Sequence, residues 1–233
     1  MSGLCKWLHE QLARLPLMGF PFDLERLPGN GIYFFYEEGE VWGHGGDQLR
    51  IVRIGTHTGP GNLRSRISET YLLDERRLNL GPEKAKPADR SVFRKNLGRA
   101  LLNRDGGDYL QVWEIDFTLR AKRDQVRQLR DVVKERRLEK EISRLLRDRF
   151  SFRAIAVDDR TKRTQLEKHL IGAVAGCALC RASHDWLGRR SPQTKIREGN
   201  LWQMQNLNAD PLGPRDKEAV LRAISATRGW GSD

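Results

Sequence analysis

The stretch GNGIYFFYEE, residues 29–38, sets a glycine-containing turn directly against a run of aromatic and branched residues. No other feature of the chain constrains its fold as strongly. Such a run after Pro-Gly-Asn-Gly reads as a β-strand. A second strand, QLRIVRIGTH at 48–57, follows EEGEVWGHGGD, a loop with four glycines. Consecutive strands joined in this way most simply pair antiparallel, so a hairpin should organise the fold. Strand alternation puts Tyr33 and Phe35 on one face and Ile32, Phe34 and Tyr36 on the other. Taken alone, Tyr33 is ordinary core material.

Around this hairpin the periodicity predicts mostly helices. Leu4, Trp7, Leu8, Leu12 and Leu15 recur at helical spacing in the N-terminal segment, with Lys6, His9, Glu10 and Arg14 between them. This is an amphipathic helix rather than a signal peptide. The Pro- and Gly-punctuated stretch that follows reads as a loop. NLRSRISETYLL (62–73) and SVFRKNLGRALL (91–102) read as helices, and the Pro- and charge-rich stretch 74–90 between them as a mobile loop. In LQVWEIDFT, Trp113, Ile115 and Phe117 alternate with Glu114 and Asp116, the pattern of a half-buried strand. A long amphipathic helix is predicted over 120–149, then a strand in FSFRAIAVDD and a helix in RTQLEKHLIGAVAG. This order implies an α+β fold, a small antiparallel sheet flanked by helices. The expected organisation is a lead-in over 1–28, a main domain over 29–176 with insertions at 74–90 and 108–149, and a C-terminal extension over 177–233 packed on that domain.

Charge narrows the function. Among 233 residues, 42 Lys and Arg against 31 Asp and Glu give a net charge of +11, which suits a polyanionic partner such as nucleic acid. The excess is concentrated at 120–149, with twelve Lys or Arg and six Asp or Glu, so the long helix should carry a basic outer face. No apolar run reaches the length of a membrane span, and the expected location is cytoplasmic. Three cysteines do not make a disulfide framework. Cys177 and Cys180 form a C-x-x-C followed by His184, but the third cysteine, Cys5, lies at the far end of the sequence. Packing of small residues at a helix end is therefore the expectation for this pair, rather than a metal or redox site.

Four pieces together resemble one known pattern: GIY at 31–33 opening the first strand, RIG at 53–55 closing the second, LRSRI on the next helix, and QLEKHLI on a later one. The chain resembles the GIY-YIG nuclease family. RIVRIGTH, SVFRKNLGRALL, WLGRRS and IREGNLW further resemble a bacterial group within that family. The resemblance implies a three-stranded antiparallel sheet with flanking helices, here with an extra strand and a long basic helix. It implies a metal-dependent endonuclease using Mg²⁺ or Mn²⁺ on nucleic acid, with DNA as the expected substrate. The alternative is a catalytically silent nucleic-acid-binding protein of the same fold.

The resemblance also assigns roles. Glu167 matches the glutamate that holds the divalent cation. Arg66, in the Leu63-Arg66-Ile67 pattern, matches the arginine that stabilises charge on the phosphate, a task suited to a permanently charged fork. Tyr33 matches the first-motif tyrosine, a water-positioning group or general base that needs assistance because a free phenol has a pKa of about 10. The second-motif tyrosine is replaced by Arg53, which can donate to phosphate but cannot act as a base. His57, closing the second strand, could substitute, since an imidazole pKa of about 6.5 suits proton transfer. Arg53, Arg64, Arg90, Arg94, Lys95 and Arg197 are the candidates for contacting a nucleic-acid backbone, with Trp202 as a stacking face near Arg197.

Overall fold

The computed structural model of the chain describes residues 2–57, 59–71, 78 and 80–228. A four-stranded antiparallel sheet lies at its centre, in the order β1–β4–β2–β3. The strands are β1 (Met18–Gly19), β2 (Gly31–Val41), β3 (Leu49–Gly55) and β4 (Phe150–Ala156). Nine α-helices flank it among the described residues: α1 (Ser2–Leu12), α2 (Leu63–Tyr71), α3 (Val92–Arg104), α4 (Leu110–Glu114), α5 (Arg120–Val126), α6 (Val132–Arg149), α7 (Arg160–Ala175), α8 (Thr194–Gly199) and α9 (Pro214–Arg228). The fold is α+β, and the hairpin read from the sequence is the β2–β3 pair, with Tyr33 opposite Gly55 and Phe34 opposite Ile54.

Both faces of the sheet are covered. Tyr33, Phe35, Val52, Phe150, Phe152 and Ala154 pack against α2, α3, α4 and α6. Ile32, Phe34, Tyr36, Ile51, Ile54 and Ile155 pack against α1, α7 and α9. One buried face had been expected, that of Ile32 and Phe34; in fact Tyr33 is only 3% exposed. A β-bulge sharpens the pattern. Phe35 pairs with Arg53 but Tyr36 with Ile51, so Val52 is the extra residue. Two successive side chains then share one face: Val52 enters the first core, and the Arg53 guanidinium lies 5.0 Å from the Phe93 ring of that core.

Three sequence expectations are corrected. The fourth strand is β1, inside the stretch read as a loop, and not LQVWEIDFT. In the latter, Leu110–Glu114 forms α4 because its aromatic residues serve the helical layer rather than a sheet edge. The Trp113 indole donates to the Lys95 carbonyl at 3.1 Å, and Phe117 lies under the cations of Lys86 and Arg130, at 4.8 and 4.3 Å. Nor is the basic helix continuous. It breaks after α5, where Asp131 caps α6 by accepting from the Lys134 N–H, and Leu129 and Val133 are exposed. Within α6, Arg137, Lys140 and Arg144 form an exposed stripe at helical spacing, so a basic outer face exists on the shorter helix. Most of the loop expected at 74–90 is described from residue 80 onward and contains a 3₁₀ turn, Pro87–Asp89, while 74–77 and 79 lie outside the described residues.

Candidate active site

The two motif glycines are required by close contacts. Gly31 begins β2 beside β4, where a Cβ would come within 2.2 Å of the Ile155 carbonyl oxygen. Gly55 ends β3 under the Tyr33 ring, where a Cβ would come within 2.3 Å of the phenol hydroxyl. The absent side chain at Gly55 thus lets the phenol lie across the end of β3. Its ring meets Phe35 edge-on at 5.3 Å, and its hydroxyl makes no hydrogen bond to any described residue.

The residues after Gly55 hold the start of β2. The Thr56 hydroxyl donates to the Gly31 carbonyl at 2.8 Å, and the Gly31 N–H donates to His57 Nε2 at 3.2 Å. His57 Nδ1 lies 2.6 Å from the Gly59 carbonyl, which only accepts, so Nδ1 carries the proton. The imidazole is therefore the neutral Nδ1–H tautomer with both nitrogens engaged. Burial holds its pKa below the usual histidine value, and the nearby Arg163 and Arg66 charges add to that. The general-base role expected for His57 would need a free lone pair, and this bonding occupies it.

Glu167 extends from α7 toward the same end of the sheet and is partly buried. Burial raises its pKa; the Arg53 charge, a backbone hydrogen bond from Thr56, and the Arg66 and Arg163 charges oppose the rise. No ion pair within 4.0 Å is made by this carboxylate among the described residues. Arg163, one helical turn before it, is 1% exposed and donates to the carbonyls of Val157, Asp158 and His57 at 2.9, 3.0 and 3.3 Å. Its Nε has no partner, and neither has the buried Nε of Arg53, whose Nη1 donates to the Trp202 carbonyl. Arg66 is more open, donating to the Arg90 carbonyl at 3.2 Å with Glu69 at 3.9 Å. A cleft of about 300 Å³ lined by Thr56, His57, Asn62, Ser65, Arg66 and Glu69 opens beside this group.

Arg53, Arg66 and Glu167 thus come together with Tyr33 near by, and Arg163 joins them. The signal in the sequence for Arg163 is its position four residues before Glu167 on the same helix, the spacing at which helical side chains are neighbours. Several nucleic-acid candidates are otherwise engaged. Arg94 is fully buried and pairs with Glu139 at 2.7 Å, which removes it from any solvent-facing role. Lys95 Nζ donates to the Glu114 carbonyl at 2.8 Å with Asp89 at 3.8 Å. Arg64 is tied to Glu25 and to the Leu27 carbonyl, and Arg197 to the Ser191 carbonyl and the Thr194 hydroxyl. Arg90 is exposed. Trp202 is fully buried, so it offers no stacking face; its indole and that of Trp186 both donate to Glu37, at 3.1 and 3.0 Å.

A sheet with helices on both faces, one glycine pressed against the neighbouring strand and another under a phenol, and a carboxylate among arginines define a small α+β nuclease-type domain. The family model described as the GIY-YIG domain matches residues 21–227, nearly the whole chain. The chain belongs to the GIY-YIG domain family, a family of endonucleases that generally use divalent metal ions. No curated protein and no solved structure matches it. No helix among the described residues is long and apolar enough to cross a membrane.

Proposed function

We propose that this protein is a metal-dependent endonuclease that hydrolyses phosphodiester bonds in DNA. The observation that carries the reading is the unpaired Glu167 carboxylate among Arg53, Arg66 and Arg163, beside a phenol with a free hydroxyl. The donor set suits Mg²⁺ or Mn²⁺. Such an ion retains several waters and takes one or two carboxylates plus substrate phosphate, so one carboxylate is a sufficient contribution from the protein. When bound, the ion neutralises charge building on the phosphoryl and leaving oxygens.

The remaining steps belong to the chain. Glu167 holds the ion. Arg53 and Arg163 keep the carboxylate ionised against the burial that would protonate it. Arg66, on the open side, grips a non-bridging phosphate oxygen and stabilises the charge that grows there. The Tyr33 side chain orients the attacking water and, as the phenolate, takes up the proton that the water loses. His57 maintains the frame, holding Gly31 through Nε2 and Gly59 through Nδ1. Arg90 and the α6 stripe of Arg137, Lys140 and Arg144 supply positive surface for the DNA backbone.

One observation favours a second reading. Arg53 occupies the second-motif tyrosine position, so a silent DNA-binding protein of the same fold would look alike. Incubation of supercoiled plasmid with Mg²⁺ or Mn²⁺ separates the two. Nicking by the parent and none by Glu167→Ala supports the enzyme. A parent that cuts no form of DNA while both proteins retard it on a gel supports the silent binder, and a parent that cuts RNA but not DNA overturns the substrate assignment.

A further inference from the structure

The fold unites three segments that are remote in the sequence. Cys5 lies on α1, His44 in the β2–β3 loop, and Cys177 and Cys180 just after α7. Their four donor atoms all lie within 4.8 Å of one another. The cysteines are free thiols, all buried. Cys5 Sγ lies 3.6 Å from Cys180 Sγ, and Cys177 Sγ lies 3.4 Å from His44 Nε2.

Those distances match a coordination polyhedron. With Zn–S of about 2.3 Å and Zn–N of about 2.0–2.1 Å, the edges of a regular tetrahedron are roughly 3.8 Å between sulfurs and roughly 3.5 Å between sulfur and nitrogen. A disulfide would need sulfurs at about 2.0 Å. Simple packing of small residues accounts for the cysteines, but not for an imidazole nitrogen directed at a thiol, a weak hydrogen-bond partner. We propose that Cys5, His44, Cys177 and Cys180 form a four-coordinate structural zinc site. Three thiolates and one imidazole are the soft donor set that selects this ion over the oxygen-seeking Mg²⁺.

The surroundings suit a closed site. Trp42 packs among the three cysteines and meets the His44 ring edge-on at 5.2 Å, excluding water from one side. Gly43 admits the Cys177–Cys180 loop, since a Cβ there would come within 2.0 Å of the Leu179 carbonyl oxygen. His9 is nearby but is not a ligand. Its Nδ1 donates to the Cys5 carbonyl at 2.9 Å and its Nε2 accepts from the Ile51 N–H at 3.0 Å, so it orients the α1 turn that presents Cys5. His184, the histidine nearest the C-x-x-C in sequence, is exposed and pairs with Asp185. Zinc here staples α1 to the hairpin loop and to the C-terminal end of α7. Glu167 sits on that same helix, roughly 12 Å from its C-terminal end at 1.5 Å per residue, so the staple fixes the helix that carries the candidate active-site carboxylate.

The test is metal content and a spectroscopic stand-in, neither of which depends on nuclease activity. Protein purified under reducing conditions should carry about one zinc per chain, and Glu167→Ala should carry the same amount, since the two sites are distinct. The double variant Cys177→Ser/Cys180→Ser should lose the zinc, and chelation should lower the thermal midpoint of the parent. Should the double variant not fold, titration of stripped parent with Co²⁺ decides: tetrahedral thiolate coordination gives intense visible bands and sulfur-to-cobalt charge transfer. Reduced parent that carries no zinc and gives no such cobalt spectrum overturns the site. Zinc lost from Glu167→Ala but retained by the double variant overturns it as well.

Discussion

Two buried arginines on opposite sides of the sheet are treated very differently. Arg94, on α3, has a full set of partners: Nε and Nη2 donate to Glu139 at 3.0 and 2.7 Å, and Nη2 also reaches the Glu139 carbonyl and the Ser143 hydroxyl. Arg163, on α7, is equally sealed but reaches only backbone carbonyls, leaves its Nε unsatisfied and has no carboxylate within ion-pair distance among the described residues. Arg53 repeats that incompleteness. An unsatisfied buried donor costs about 1–3 kcal/mol, a cost that a bound anion beside Arg53 and Arg163 would relieve. The first arginine closes a structural network. The other two sustain positive potential around one carboxylate and an open cleft, an arrangement that a bound anion and cation would complete.

The largest expected effect falls on that carboxylate. Glu167→Gln should reduce plasmid cleavage by at least about 10³-fold, roughly 4 kcal/mol, the scale of a metal's contribution to a phosphoryl transition state. The same change should not destabilise the fold. Because burial raises the Glu167 pKa, the native state binds a proton more readily than the unfolded chain in the window just above the ordinary carboxylate value. As pH falls through that window, this residue's contribution to stability rises while its ability to hold a cation, and hence cleavage, is lost. Titration of Glu167 in metal-free protein at or below the usual carboxylate range would contradict this.

Next comes Arg94→Met, which should lower unfolding stability by about 3–5 kcal/mol through the orphaned Glu139. Urea titration measures this, and cleavage well below the unfolding midpoint should persist. Full stability with lost DNA affinity would return Arg94 to the nucleic-acid surface and erase its contrast with Arg163. Tyr33→Phe should reduce cleavage by about 10²-fold, the lower range for general acid–base groups. Its effect on stability should stay within about 0.5 kcal/mol, because the lost hydroxyl bonds to no described residue. A nuclease unchanged by this substitution removes Tyr33 from the reaction.

The same contrast explains what could be read in the sequence. The placement of Tyr33 on a strand and of Arg66 and Glu167 on helices was legible because a motif ties residue type to a position on a strand or helix. The β2–β3 hairpin was legible because a four-glycine loop separates two apolar runs. Arg94 was not, since its fate depends on Glu139, which is 45 residues away. Alternation at Trp113, Ile115 and Phe117 reads equally as a strand or as a short segment packed on a helix; the indole bond to Lys95 decides it and carries no local signal. The two-residue β1 is too short to leave any pattern. Cys5 and Cys180 are 175 residues apart, and only the docking of α1 makes them neighbours.

The smallest effect offers the finest discrimination, because Arg64 and Arg66 lie two residues apart on α2. Arg64 is held by Glu25 and the Leu27 carbonyl away from the cleft, whereas Arg66, with the Arg90 carbonyl at 3.2 Å and Glu69 at 3.9 Å, lines it. Arg64→Ala should cost at most about 1 kcal/mol of stability, the usual scale for an exposed ion pair, and leave cleavage nearly unchanged. It should not alter the dependence of DNA affinity on salt, since a guanidinium already neutralised by a carboxylate releases no counterions from the backbone. Arg66→Ala should instead reduce cleavage by about 10²-fold, as expected for a donor to transition-state charge. Equal losses from both substitutions would show that α2 meets DNA as a generally basic surface, and Arg66 would then have no special claim on the reacting phosphate.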